Sequence, residues 1–200
     1  MLLKHTIPTG LRRALAAGML FTAIGSARVA HSQSVDSSAA KNAPNLTALR
    51  DFDFLVGEWR VHHRTMRASG TGQWQEFDGW ASNRALMDGW ANVEDHRFDK
   101  TTGVTRAVAL RVYDPRTAQW AIWWIDGRDP HRPMDPPVKG RFKNGVGTFY
   151  SDEVHDGKPI RVRFIWSRIT ARSAQWEQAF SSDGGKTWET NWIMEFERSP

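Results

Sequence analysis

From Glu58 onward the chain alternates apolar and polar residues in short runs, and each run stops at a cluster of turn-forming residues. In residues 159–168, Ile160, Val162, Phe164 and Trp166 share one face, while Arg161, Arg163 and Arg168 lie mostly on the other. In 189–198, Trp192, Met194 and Phe196 oppose Asn191, Glu195 and Glu197. Side chains alternate across an extended strand, so these are half-buried strands. The pattern predicts ten of them, over 58–67, 73–82, 85–98, 106–114, 119–126, 138–143, 147–155, 159–168, 173–181 and 189–198. The breaks include Ala68-Ser69-Gly70-Thr71-Gly72, Asp99-Lys100-Thr101-Thr102-Gly103, Asn144-Gly145, Asp156-Gly157-Lys158 and Asp183-Gly184-Gly185-Lys186. Asn-Gly and Asp-Gly accept the positive φ of tight hairpins, so consecutive strands should pair antiparallel in a meander. No connection is long enough for parallel crossovers. Strands with one dry face must stack as two sheets or close into a barrel, and closure removes the exposed edges. A short amphipathic turn over 46–54 precedes them, with Leu46, Leu49, Phe52 and Phe54 or Leu55 placed to cap the bottom of the barrel.

Residues 1–32 follow another pattern. Lys4, Arg12 and Arg13 precede an apolar run of 14 residues, 14–27, shorter than the roughly 20 a membrane-spanning helix needs. This is the form of a signal peptide, cut after Ala27 or, preferably, after Ser32, where Ala30 and Ser32 supply small side chains. A periplasmic or secreted protein with no membrane anchor after signal removal is expected. The pair Arg12-Arg13 fits both the ordinary and the twin-arginine export route. Residues 33–45 are small, polar and without period, and read as a flexible leader. The barrel domain then occupies 46–200.

Charge changes the picture once the signal is set aside. The whole chain carries +5, but Lys4, Arg12, Arg13 and Arg28 lie in the signal with no acid among them, which leaves +1. A near-neutral domain lacks the basic stripe that nucleic acid requires. Cysteine is absent, which excludes disulfides, thiol catalysis and a lipid-bearing cysteine. All 11 tryptophans fall after the signal, against only five leucines there. Large rings with one polar N–H suit a barrel interior that is partly filled and partly an aromatic pocket.

The segments DFDFLVGEWRVHHR, VYDPRTAQWAIWWID, DPPVKGRFKNGVGTFY and WEQAFSSDGGKTWETNWIMEF, spread over 51–198, resemble an uncharacterised family of secreted bacterial proteins, a domain of unknown function with a calycin-like barrel. Gly57-Glu58-Trp59 is similar to the Gly-x-Trp that opens lipocalins, where the ring plugs the closed end. The resemblance implies an all-β, lipocalin-like (calycin) barrel and export; it implies no activity. Ser181, Asp183, Gly185, Thr187 and Trp188 resemble the Asp-box of β-propeller hairpins, where the polar groups bond turn amides and the aromatic ring packs beneath. One copy indicates a stabilised hairpin, not a propeller.

Candidate chemistry is sparse. His62 and His63 point to opposite faces of a strand and cannot share an ion, so no metal site is expected. Haem-binding nitrobindins share the barrel class, but Val61-His62-His63-Arg64 stands where they carry glycines, and no histidine follows His155; no cofactor is expected. An active site, if present, belongs at the barrel mouth, beside the proline-rich connection 126–137 that follows Trp123 and Trp124. Its acid/base group would be His131 or His155, oriented by Asp126 or Glu153, with Arg128 or Arg141 holding an anionic group. A solvated loop accounts for the same composition. His63 either orients a ligand together with Trp123 or Trp124, or is a hydrogen-bonded core residue. No nucleophile elbow, phosphate loop or dinucleotide fingerprint occurs. The expectation is a barrel binding a small apolar or aromatic molecule; the alternatives are a cofactor-free cyclase, isomerase or lyase acting on a hydrophobic substrate, and a ligand-free interaction module.

Overall fold

The computed structural model describes residues 46–66, 72–155 and 157–199. The expected signal segment and leader, most of the 68–72 turn and Asp156 lie outside them. Ten strands follow one another: β1 Gly57–Met66, β2 Trp74–Leu86, β3 Ala91–Lys100, β4 Gly103–Asp114, β5 Gln119–Asp126, β6 Val138–Lys143, β7 Val146–His155, β8 Lys158–Ser167, β9 Ser173–Ser181 and β10 Glu189–Arg198. Each pairs with its sequence neighbours, and β1 pairs antiparallel with β10, from Trp59↔Arg198 to Thr65↔Trp192. The sheet is therefore a closed antiparallel meander, with no exposed edge along that seam. Asn144 (φ 52) and Gly145 (φ 77) form the left-handed β6–β7 hairpin that their sequence predicts.

The largest departure from the expected strand boundaries lies between β2 and β3. β2 continues to Leu86, and the chain turns at Met87–Gly89, inside the predicted third strand. Met87, Asp88 and Gly89 all adopt positive φ. Asp88-Gly89 carried the turn signal, but apolar Leu86, Met87 and Trp90 masked it.

Odd strands run away from the end where the chain enters, and that end is sealed by apolar packing. Phe52 and Leu55 are buried, whereas Leu46 is 51% exposed and does not join the cap. Phe52 meets Trp120 and Phe142 edge-on at 5.0 and 5.1 Å. Trp59 is fully buried and donates its Nε1–H to the Leu55 carbonyl at 2.7 Å. The Arg198 guanidinium lies 4.2 Å from the Trp59 ring centroid and bonds the Phe54 and Val56 carbonyls, locking the entering chain to the barrel's last strand. Between β9 and β10, Asp183 accepts from the Thr187 amide and hydroxyl and the Lys186 amide, Ser181 Oγ accepts from the Gly185 amide, and Trp188 Nε1–H donates to the Gly185 carbonyl. These bonds hold the Asp183 carboxyl far below the usual carboxylate range.

Candidate functional site

Above the sealed end the interior becomes polar. Asn92, Glu94, His96 and Phe98 alternate inward on β3, and Arg111 faces them from β4. Asn83 Nδ2 donates to Asn92 Oδ1 (3.3 Å), Arg111 Nη1 donates to the same oxygen (3.0 Å), and Arg111 Nη2 pairs with Glu94. His96 Nε2 lies 3.5 Å from Glu94 Oε2, an electrostatic contact without hydrogen-bond geometry. Burial alone would raise the Glu94 carboxyl; Arg111 and His96 overcome it and hold the group below its ordinary value, so it stays ionised. The guanidinium also stands 5.0 Å from the Phe52 ring centroid, so the polar row rests on the aromatic seal.

His63 joins this row from β1. It is fully buried, stacked on Phe77 at 4.7 Å, and its Nδ1 accepts the Trp192 Nε1–H at 3.3 Å. Burial and neighbouring His96 lower its pKa to about 3, so the ring is neutral near pH 7. With Nδ1 accepting, the proton sits on Nε2, which lies against Gly79. A Cβ added there would stand 2.3 Å from the Arg97 carbonyl and 3.0 Å from this nitrogen. Glycine thus makes the room that the imidazole fills.

The open end is an aromatic chamber. Trp124 and Trp192 meet edge-to-face at 5.7 Å, Trp192 continues to Trp176 at 5.5 Å, and Phe98 lies 6.0 Å from Trp192. This pair divides two cavities. The larger, of about 350 Å³, is lined by Phe77, Phe98, Trp124 and Trp192, with Thr65, Gln75, Lys100, Thr105, Asp126 and Arg128 around them. The smaller, of about 150 Å³, is lined by Ile122, Val162, Phe164, Trp176, Phe180 and the same two tryptophans, with Asp135, Glu153 and Gln178. β5 pairs with β6 only from Trp120 to Ile122, so Trp124 and Asp126 stand where the wall parts.

The sequence candidates separate accordingly. Trp124, Asp126, Arg128 and Glu153 line the chamber; His63 lies behind its aromatic wall. Trp123 points outward, into a surface groove shared with Val112, Pro137 and Lys139. Arg141 is exposed near the sealed end, bonded to the Thr117 carbonyl, and is not brought to the mouth. His131 is exposed in a loop braced by the Arg132–Asp135 pair, and His155 sits against Phe180 at 5.3 Å. Asp126 is engaged by Arg128, which lowers its pKa, and does not orient a histidine there; Arg128 is correspondingly committed to Asp126. Glu153 accepts from Ser151 Oγ, and burial pushes its carboxyl up. Among the described residues no three His, Asp or Glu side chains converge as a metal site would require.

Sequence reasoning missed Lys100, Phe77, Phe98 and Trp192 as chamber residues, and missed the Glu94–Arg111 pair. The alternation Asn92-Glu94-His96-Phe98 was visible. Its outer face, Val93-Asp95-Arg97-Asp99, is equally mixed, so no dry face stood out.

No family model and no curated protein matches the chain. Its fold is similar to that of solved β-barrels. The S-type phycobiliprotein lyase from Guillardia theta aligns with a TM-score of 0.50 and 10% identity over 74% of this chain and 90% of that one. A redesigned β-barrel gives 0.42 and 8% over 76% and 96%. A protein of unknown function from the DUF3598 family of Nostoc punctiforme gives 0.40 and 12% over 74% and 48%. At such identities the likeness is one of fold alone.

Proposed function

We propose that this barrel binds a small apolar or aromatic molecule in its open end, against Trp124 and Trp192. One observation carries the reading: the barrel is sealed at one end by packed rings, while at the other two aromatic cavities flank a single tryptophan pair. Ligand sites are concave, mostly apolar and furnished with a few polar groups, and the larger cavity falls within the usual range of roughly 300–1,000 Å³. We propose also that the chain is exported, residues 1–32 serving as its signal; the resemblance to secreted calycin-like barrels supports this. A titration with an apolar fluorescent probe tests the binding site. The probe should saturably quench tryptophan emission, Trp124→Phe should remove most of that change, and Trp123→Phe should leave it intact. A saturable quench that survives Trp124→Phe, or one abolished by Trp123→Phe, would place the ligand elsewhere.

A further inference from the structure

The charged lining of the larger cavity consists of Lys100, Asp126 and Arg128. Asp126 is already neutralised, since Arg128 Nε donates to both of its oxygens at 2.9 and 3.0 Å and the Arg128 amide donates at 2.9 Å. Lys100 is not. Its Nζ lies 4.9 Å from the Phe77 ring centroid and 5.8 Å from that of Phe98, and among the described residues no carboxylate comes within ion-pair distance of it. One positive charge therefore stands uncompensated at an aromatic wall. Resting on the aromatic site described above, we infer that the ligand is a planar aromatic anion, a carboxylate or sulfonate, and that Lys100 recognises its charge.

The physical case has three parts. The two ring faces hold the ammonium in place before any ligand arrives, so less side-chain freedom is lost on binding. Partial burial strengthens its attraction for an anion relative to water; burial and Arg128 together make the bare cation costly, which Asp126 only partly offsets. The smaller cavity fixes the orientation. Its ionisable groups are Asp135, held by Arg132 at 2.9 Å, and Glu153, which accepts from Ser151, so it offers an anionic end no free cation. The ring end thus packs on the Trp124–Trp192 pair within the larger cavity, with the charged end beside Lys100.

The test uses two probes with the same ring system, anilinonaphthalene sulfonate and the neutral phenylnaphthylamine, titrated into the purified protein. The sulfonate should bind about tenfold or more tightly, with an advantage that shrinks as salt rises. Lys100→Met should abolish that advantage by weakening the sulfonate about tenfold more than the neutral probe, and Lys100→Arg should retain it. Unchanged near-ultraviolet circular dichroism in both variants keeps the comparison on binding. Equal affinity of the native protein for the two probes, or an advantage that survives Lys100→Met, overturns the charge recognition and leaves the aromatic site standing. Failure of both probes to bind overturns the aromatic site, and this inference with it.

Discussion

His63 and Glu94 show how single buried groups set the conditions under which the barrel persists. An ion pair such as Glu94–Arg111 contributes little net stability, because both charges lose water; removing one partner, however, strands the other at a cost of roughly 3–5 kcal/mol. For His63 the consequence is a dependence on pH. Its folded pKa of about 3 lies below the 6.5 of the free side chain. Between those values the unfolded chain takes up a proton that the folded ring refuses, so stability falls as pH drops from 6.5 toward 3, by up to about 1.4 kcal/mol per unit. Above 6.5 neither state binds the proton and the effect vanishes. Glu94, lowered from 4.5, adds a loss of the same sign below that value. Urea midpoints should therefore decline from about pH 6.5 to 4.5 in the native protein, and His63→Gln should flatten that part of the curve. An identical decline in the variant would show that other groups carry it.

At the scale of elements, the legible features were those governed by local backbone physics. The Asn144-Gly145 hairpin is one: an L side chain in the left-handed region costs about 1–2 kcal/mol, and glycine avoids that. A Cβ built on Gly145 meets nothing within 4 Å, so Gly145→Ala isolates the backbone cost. It should destabilise the protein by about 1–2 kcal/mol in denaturant unfolding; a change below about 0.3 kcal/mol would mean the hairpin relaxes at no cost. β8 and β10 were equally legible, since each has one apolar and one charged face. β3 was not, because it turns Asn92, Glu94 and His96 into the barrel and Asp95 and Arg97 out of it.

At the scale of the molecule, closure through β1 and β10 completes the wall, and the entering segment makes the two ends inequivalent, one plugged by Phe52, Leu55 and Trp59 and the other left open beside the 127–137 loop. If the barrel binds a ligand as proposed, it does so in whatever compartment the chain is delivered to, which makes export part of the functional question. Expressed with its first 32 residues in a bacterial host with a periplasm, the protein should be recovered there with the mass of a chain beginning at Gln33. Recovery of the intact chain in the cytoplasm would refute export, and a chain beginning at Arg28 would move the cut to Ala27.

The sequence by itself determined most of the strands, their antiparallel order and the hairpin chemistry, because period-two alternation and turn residues act over a few neighbouring positions; Trp59 as the plug came from the resemblance to the lipocalin opening. It also placed Trp123 and Trp124 on opposite faces. It did not say which faced inward, since a strand's two faces are distinguished only by what packs against them. Tertiary structure decided that choice, and it alone joined Lys100 to Phe77, Glu94 to Arg111, and His63 to Trp192, 129 positions away. Those contacts cross the barrel or pass between strands, and their partners are chosen by register and closure, which no local pattern records.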